Sequence, residues 1–350
     1  MHRRQFLGSA AAASAAALIG TTRAAARQRP PAIKPRSLRP GDAVGLVAPA
    51  NATFQSDELQ IAIESLSSLG LKVVVGPHLR DRHGYLAGQD QDRAADINAF
   101  FADPAIRAVL PIRGGWGSSR VLPYLDFDSI RRNPKVVVGY SDISALLLAI
   151  NARAGLVTFH GPNGIGRWDA YSVDYFKRVI MQGEAVTFAN PRQLSDRNAL
   201  TPVENRTMTI SPGKARGPLL GGNLTVLTTI VGSPYLPAWD GAVLFCEDVG
   251  ENYYRIDRML TQLKLAGVLA RLAGFVFGTC SECGPGDNAF GALTLEEIFA
   301  DHIRPLGIPA WSGAMIGHAM PQWTLAEGLD VEIDADPGTI RMLEPAVLTA

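Results

Sequence analysis

Short aliphatic runs in the first half of the chain alternate with segments that carry an apolar face at helical spacing. The runs are typical of buried strands, and the intervening segments are typical of amphipathic helices. The predicted strands cover residues 43–49, 72–76, 107–113 and 135–139, and the predicted helices cover residues 56–70, 90–104 and 118–125. This order indicates a parallel sheet with helices on both faces, in which ligands bind at the carboxyl ends of the strands.

The second half of the chain has a different pattern of apolar and polar residues. Residues 186–216 contain few large apolar runs and many Pro, Asn, Arg and Thr residues, and further strand and helix patterns begin near Gly217. The segment at residues 330–343 indicates a closing hairpin with its turn at residues 336–338. Two units separated by a polar segment therefore follow from the pattern.

We predict an α/β protein of two domains with the active site in the cleft between them. The N-terminal domain at residues 37–165 would be a flavodoxin-like or Rossmann-like parallel-sheet domain. Residues 166–216 would form a linker with a strand or two. Residues 217–345 would form a smaller mixed α/β domain rich in strands.

The N-terminus reads MHRRQFLGSAAAASAAALIGTTRAAA, which is the order basic, apolar, small. The paired Arg3 and Arg4 predict a twin-arginine export signal at residues 1–26, so that the mature protein acts in the periplasm or elsewhere outside the cytoplasm. The alternative is an alanine-rich first helix of the fold. No later segment reaches the roughly 20 apolar residues of a membrane span, so no stable membrane insertion is expected after cleavage.

Composition and charge exclude some partners. The chain is 47% hydrophobic and 19% charged, as in ordinary soluble enzymes, and its formal net charge is 0. Removal of residues 1–26 takes away three arginines and no acidic residue, which leaves −3. A nucleic-acid partner would need a basic face, and we expect none.

The three cysteines do not indicate a metal site. Cys280 and Cys283 form a single pair in CSEC, which cannot complete a four-ligand zinc site. They are either a local disulfide or a reduced, packed pair. Cys246 lies in the apolar run AVLFC and is expected to fill the core.

The stretch VVVGYSDISALLLAI at residues 136–150 is a candidate nucleophile turn. A strand that passes through Gly-x-Ser into a helix places Ser141 at the helix N-terminus, where the N–H of Asp142 can hold an oxyanion. The second glycine of G-x-S-x-G is replaced by Ile143. The motif alone is therefore weak, and either polar residue can instead be an N-cap.

The glycine-rich turn IRGGWGSSR at residues 112–120 has several interpretations. Phosphate binding by a nucleotide-dependent enzyme lacks support, because neither a P-loop lysine nor GxGxxG is present. The N–H of Gly115 can serve as a second oxyanion donor. Ser118 or Ser119 can themselves be the nucleophile, or the segment is only a tight turn between strand and helix.

Candidate acid and base residues come later in the chain. Glu247 ends the apolar strand AVLFC, and His318 lies among small and apolar residues in MIGHAMPQW. Together with Ser141 they follow the chain order nucleophile, acid, base that α/β-hydrolases use. His160, after a strand-like LVTF, competes for the role of base, and each residue can also be structural.

Many of these stretches together resemble the LD-carboxypeptidases, serine peptidase family S66, which includes muropeptide LD-carboxypeptidases and microcin C immunity peptidases. The resemblance runs from Leu38 to Leu343. It is carried by LRPGDAVGLVAPA, RGGWGSSRVLPYLDF, VVGYSDISALLLAI, LVTFHGPN, LLGGNLTVL, LFCEDVGENYYRIDRMLTQLKLAG and IGH.

The resemblance implies roles for individual residues. The implied catalytic triad is Ser141, Glu247 and His318, and the implied oxyanion hole consists of the backbone N–H groups of Gly115 and Asp142. The resemblance implies neither a metal nor an organic cofactor. It does imply that the protein forms a homodimer. The sequence departs from the family at TLAEG (324–328) and at Trp116, where tyrosine is usual. Candidate substrate-binding residues are Trp116, His160 and Trp168.

The implied reaction is hydrolysis of the amide between an L-configured residue, lysine or diaminopimelate, and the C-terminal D-Ala of a muropeptide. Export would favour trimming of the wall over recycling. A first alternative is a peptidase of the same family that acts on peptide–nucleotide conjugates, with Trp168 or Trp323 stacking on the base. A second is an exported protein that binds peptides without cutting them.

Overall fold

A computed structural model describes residues 30–191, 200–201, 204–287 and 291–349. The predicted export signal at residues 1–26 lies outside the described residues. No helix within the described ranges is long and apolar enough to cross a membrane.

The N-terminal half forms a parallel sheet covered by helices on both faces. Strands β1, β3 and β4 are largely buried because helices cover them on both sides, whereas β2 at the sheet edge is mostly exposed. The elements are β1 (Ala43–Val47), α1 (Ser56–Ser68), β2 (Lys72–Val75), α2 (Asp90–Ala102), β3 (Ile106–Pro111), α3 (Ser118–Val121), α4 (Phe127–Arg132), β4 (Val136–Gly139), α5 (Ser144–Ala154) and β5 (Thr158–His160), with 3₁₀ turns at Leu122–Tyr124 and Ser141–Ile143. The predicted parallel α/β domain is confirmed.

The C-terminal half is built around a second, larger sheet. Its elements are α6 (Ala170–Phe176), a π-helical turn (Lys177–Met181), β6 (Thr187–Ala189), β7 (Met208–Ser211), β8 (Lys214–Asn223), α7 (Leu224–Thr229), β9 (Val243–Val249), α8 (Tyr253–Leu265), β10 (Gly274–Ser281), α9 (Leu295–His302), β11 (Ala310–Ala314), β12 (Leu325–Glu327), β13 (Asp330–Asp334) and β14 (Thr339–Met342), with 3₁₀ turns at Leu269–Arg271 and Arg304–Leu306. The strand order is β6-β14-β13-β8-β9-β10-β11-β7. The four strands β8 to β11 are parallel, and their neighbours on both sides are antiparallel.

The segment at residues 166–216 contributes to the second sheet rather than only connecting the halves. It contains α6, β6 and β7, and the two strands form the opposite edges of that sheet. β13 and β14 pair antiparallel around the turn that the sequence predicts. Cys246 is fully buried in the core, as expected from its apolar run.

A short strand, β12, links the two sheets. β12 pairs antiparallel with β5 and so forms the outer edge of the first sheet, in the order β12-β5-β4-β3-β1-β2. The chain then passes directly into β13 of the second sheet, where Leu219 N donates to Leu329 O at 2.9 Å. The C-terminal part of the chain therefore completes the N-terminal sheet, which fixes the two halves against each other.

Glu327 on β12 is an unusual residue at this junction. Its side chain is fully buried, and neither carboxyl oxygen has a hydrogen-bond partner among the described residues. Burial raises the pKa of Glu327 well above the ordinary value of 4.5. The buried carboxyl is therefore expected to stay protonated in the folded protein.

Replacement of Glu327 by Gln is expected to stabilise the protein at neutral pH. A carboxyl whose pKa is raised by folding contributes stability below about pH 4.5 that is lost as the pH rises towards its folded pKa, at about 1.4 kcal/mol for each unit of raised pKa. The glutamine cannot ionise and lacks this loss. Urea unfolding of both proteins at pH 4.5 and 7.5 tests this, and an equal pH dependence of the two free energies of unfolding would contradict it.

Candidate active site

Ser141 lies at a sharp turn between β4 and α5. Three buried valines lead to Gly139, and Ser141 begins the 3₁₀ turn that continues into α5. Its φ is +64°, in the left-handed region that residues other than glycine rarely adopt. Such backbone strain is found at functional sites, where the surrounding structure holds it in place. The turn leaves Ser141 partly exposed, while the residues that follow it in α5 are buried.

Glu247 and His318 form a hydrogen-bonded pair in the other half of the molecule, with Glu247 buried and His318 partly exposed. Glu247 is fully buried near the end of β9, and its Oε2 lies 2.8 Å from Nδ1 of His318 and accepts a hydrogen bond from the backbone N of His318 at 3.2 Å. Gly317 permits this approach: its φ is +65°, and a Cβ there would lie 2.1 Å from the carboxyl carbon of Glu247. The glycine of the GH pair is thus required by the contact itself.

Asn223 connects this pair to its surroundings. Its Nδ2 donates to Oε1 of Glu247 at 3.3 Å and to Oδ1 of Asp248 at 3.0 Å, while its Oδ1 caps α7. Its backbone N donates to Oγ of Ser144 in α5, the helix that follows Ser141. Burial, with the adjoining Glu247 carboxylate, raises the pKa of Asp248 to about 6. Sequence reasoning missed Asn223, although its place before an apolar helix is a typical N-cap signal.

His318 lies against the nucleophile turn. Its ring contacts Tyr140, the residue before Ser141, edge to face with centroids 5.1 Å apart. Burial alone would lower the pKa of His318, but the hydrogen bond and charge of Glu247 outweigh it and raise the pKa above 6.5. The structure therefore brings the Glu247–His318 pair to the turn that carries Ser141.

The glycine-rich turn after β3 packs directly onto the same serine. A Cβ at Gly114 would lie 3.0 Å from Cβ of Ser141 and 3.3 Å from the backbone N of Asp142. Gly115 has a φ of +113°, and a Cβ there would overlap the side chain of Asn51. Both glycines are therefore needed for the approach of the turn. Gly114, which sequence reasoning did not select, packs directly on Ser141.

Ser118 has a structural role, and the alternative that it is the nucleophile is wrong. It is fully buried, its N donates to Oδ2 of Asp142 at 2.7 Å, and its hydroxyl donates to the carbonyl of Asp142. These bonds hold the backbone that follows Ser141. Ser119 lies partly exposed beside it in α3.

His160 and Trp168, two of the candidate substrate-binding residues, occupy different environments. His160 is fully buried, contacts Tyr140 and Phe245 with its ring, and burial lowers its pKa to about 4. The structure therefore gives it no open path to a substrate. Trp168 is half-buried, packs on Phe176 and donates to Gly164 O at 3.1 Å.

Trp116 and Trp323 differ in their exposure to solvent. Trp116 is 66% exposed beside Gly115. Trp323 is fully buried against Tyr175 and Phe188 and donates to the hydroxyl of Tyr171. The suggestion that Trp323 stacks on a substrate base is therefore wrong, because its ring belongs to the core.

A cavity of about 990 Å³ opens beside His318. Its walls come from the C-terminal half and include the ends of β7, β10 and α9. Cys280, which lines it, forms a disulfide with Cys283. This decides between the two states that the sequence left open for the pair.

One group of side chains within the described ranges has metal-ligating chemistry. Ligand atoms of His78, Asp81 and Asp92 lie within 4.8 Å of one another. They lie after β2 and in α2, and β2 is separated from β4 by two strands. Nδ1 of His78 is already hydrogen-bonded to Asp96 at 2.8 Å. This group is not part of the site around Ser141.

Comparisons with known proteins agree with this arrangement of two halves. The family models LD-carboxypeptidase N-terminal domain and LD-carboxypeptidase C-terminal domain match residues 44–161 and 216–333. A probable murein peptide carboxypeptidase of Bacillus subtilis (strain 168) is 40% identical over 293 residues, which cover 82% of this chain and 87% of that protein. The murein tetrapeptide carboxypeptidase of Pseudomonas aeruginosa is 34% identical over 278 residues, with coverages of 79% and 87%. The solved structure of MccF in complex with glutamyl sulfamoyl guanosine matches with a TM-score of 0.80 at 28% identity, covering 90% of this chain and 99% of that chain.

Proposed function

The chain belongs to the LD-carboxypeptidase family, serine peptidase family S66, and from this premise we propose that it is a serine carboxypeptidase that releases the C-terminal D-Ala from murein tetrapeptides. The scissile amide joins D-Ala to lysine or diaminopimelate. Two relatives with murein peptides in their names support this substrate class. The observation that carries the proposal is the hydrogen-bonded Glu247–His318 pair beside the strained turn of Ser141.

The reaction proceeds through an acyl-enzyme. His318 takes the proton of the Ser141 hydroxyl while Oγ attacks the carbonyl carbon, and the N–H groups of Asp142 and Gly115 stabilise the oxyanion. His318 then gives its proton to the departing amine of D-Ala. Water, deprotonated by His318, hydrolyses the ester. Glu247 orients the imidazole through Nδ1 and stabilises its charged form.

A mass assay tests the proposal directly. The mature protein is incubated with purified disaccharide-tetrapeptide in the presence of a chelator, and the mass is followed. Loss of one D-Ala supports the carboxypeptidase. An unchanged substrate with a folded protein would contradict it and favour either another peptide substrate or a non-catalytic binder.

Activity is expected to fall at acidic pH with a midpoint above 6.5. His318 acts as a base only when neutral, and its pKa is raised above 6.5. His160 and Asp248, with pKa values of about 4 and about 6, titrate at lower pH. The pH profile of kcat/KM for D-Ala release reports the pKa of the free enzyme. A midpoint at or below 6.5 would contradict the role of Glu247 in holding His318.

A peptidase that acts on peptide–nucleotide conjugates is the second candidate. The match to MccF, whose solved complex contains glutamyl sulfamoyl guanosine, supports it. Of the two tryptophans proposed to stack on the base, Trp323 is buried and Trp168 is half-buried with its indole N–H bonded. Cleavage of an aminoacyl sulfamoyl nucleoside but not of the tetrapeptide would favour this candidate.

Export remains part of the proposal. The twin-arginine segment at residues 1–26 would bring the folded enzyme to stem peptides in the wall or released from it. Fractionation of cells that express the full chain, with Arg3 and Arg4 replaced by Lys as the matched control, measures its location.

A further inference from the structure

Three loops at the carboxyl edge of the first sheet each present an exposed aromatic side chain. Phe54 follows β1, Tyr85 follows β2 and Trp116 follows β3, and their exposed fractions are 57%, 56% and 66%. We call these three residues the aromatic rim. Large aromatic side chains are usually well buried, and a group of exposed ones marks a binding surface.

Backbone contacts hold the rim in place. Oδ1 of Asn51 accepts a hydrogen bond from Trp116 N at 3.0 Å, and Ala52 N donates to Tyr85 O at 2.9 Å. The Tyr85 and Trp116 rings meet edge to face with centroids 6.3 Å apart. The segment that carries Phe54 thus lies between the other two loops, and the rim is one fixed surface.

Arg82 extends the rim beside Phe54. Its guanidinium stacks over the Phe54 ring at 4.7 Å from the centroid, while its Nε donates to Gly84 O. A cation and hydrogen-bond donors therefore border the aromatic faces. A ligand that suits this surface has both an apolar face and polar edges.

The rim is connected to Ser141 through the glycine-rich turn, and none of its three residues lines the cavity beside His318. Gly114 packs on Ser141, and Trp116 follows two residues later. His318 faces the cavity in the C-terminal half instead. Because His318 must protonate the departing amine, D-Ala lies on the His318 side, and the acyl part of the substrate extends along the rim.

Chain length relates the rim to one part of the substrate. In a murein tetrapeptide three residues lie between the scissile carbonyl and the sugar at the amino end, a span of about 10 Å when extended. Trp116 follows Gly114, which packs on Ser141, and the Tyr85 ring contacts the Trp116 ring. A pyranose ring has C–H faces that pack on aromatic rings and hydroxyl groups at its edge. It therefore has the apolar face and the polar edges that suit the rim.

Resting on the proposed function, we propose that the aromatic rim binds the amino sugar of the muropeptide, so that the enzyme prefers sugar-bearing stems to free peptides. Trp116 and Tyr85 make the main contacts, and Phe54 with Arg82 borders them. The rim is a specificity site and takes no part in the chemistry at Ser141.

The test compares two substrates with the same stem, disaccharide-tetrapeptide and free tetrapeptide. The wild type is expected to have about a 10-fold higher kcat/KM for the sugar-bearing substrate, which corresponds to about 1.4 kcal/mol. Trp116→Ala and Tyr85→Ala should reduce this ratio to about 1 by raising KM for that substrate. Trp116→Tyr keeps an aromatic ring and should retain most of the ratio, as should Tyr254→Ala, an exposed tyrosine of α8.

The possible outcomes distinguish a failure of the proposed function from a failure of the sugar-binding inference. Failure of both substrates to lose D-Ala would overturn the proposed function together with the inference. Cleavage of both with equal kcat/KM by the wild type would overturn the inference alone. So would a loss in Trp116→Ala that is equal on both substrates, because the tryptophan would then position the peptide. Competitive inhibition of free-tetrapeptide cleavage by the disaccharide, weakened in Tyr85→Ala, would support the rim independently.

Discussion

Ser141→Ala is expected to lower kcat for D-Ala release by about 10⁴- to 10⁶-fold, as removal of a serine nucleophile does in other serine peptidases. The alanine removes only Oγ, and no hydrogen bond to Oγ holds the fold together among the described residues. The variant should therefore fold normally. Single-turnover mass spectrometry with disaccharide-tetrapeptide measures the remaining rate.

Two controls make this result specific. Ser119→Ala alters a partly exposed serine of the neighbouring turn and should keep wild-type turnover. Ser141→Gly should be as inactive as Ser141→Ala but should melt at a higher temperature, because glycine adopts a φ of +64° without strain. Retention of more than a tenth of the wild-type kcat in Ser141→Ala would show that another group is the nucleophile.

Glu247→Gln is expected to lower kcat by about 10⁴-fold. The amide has nearly the shape of the carboxylate, but it can donate a hydrogen bond to Nδ1 of His318 and so favour the tautomer with its proton on Nε2. In that tautomer the imidazole cannot accept the proton of Ser141. The variant also lacks the negative charge that stabilises the imidazolium form of His318.

Glu327→Gln is the matched control for this experiment. Both glutamates are fully buried, but Glu247 bonds to His318 whereas Glu327 has no partner within the described part of the chain. The control should keep its kcat. Steady-state kinetics with both variants, and circular dichroism to verify the folds, decide the question. Similar losses of kcat in the two variants would mean that Glu247 acts only through stability.

The nucleophile turn is an example of what local pattern can predict. The run of valines, the glycine before Ser141 and the apolar helix after it all lie within 15 residues. Strand, turn and helix preferences act over such distances, so β4, the turn and α5 follow from neighbouring residues. The same holds for β13 and β14, whose turn residues specify the hairpin.

The edges of the sheets depended on distant contacts. β12 is three residues long and gains its place through pairing with β5, more than 160 residues earlier in the chain. β6 is equally short and exposes two of its three residues, so its pattern is weak. Their strand structure comes from a partner in space and not from local preference.

By itself the sequence determined the alternation of strands and helices, the position of Ser141 at a strand-to-helix turn and, through resemblance, the candidate partners Glu247 and His318. Only the tertiary structure decided that Glu247 and His318 hydrogen-bond beside that turn, that Gly114 packs on Ser141, that Trp323 belongs to the core and that three aromatic loops form one surface. The physical reason is that side-chain burial and contact depend on residues brought together from distant parts of the chain, whereas periodicity reports only what each segment prefers among its neighbours.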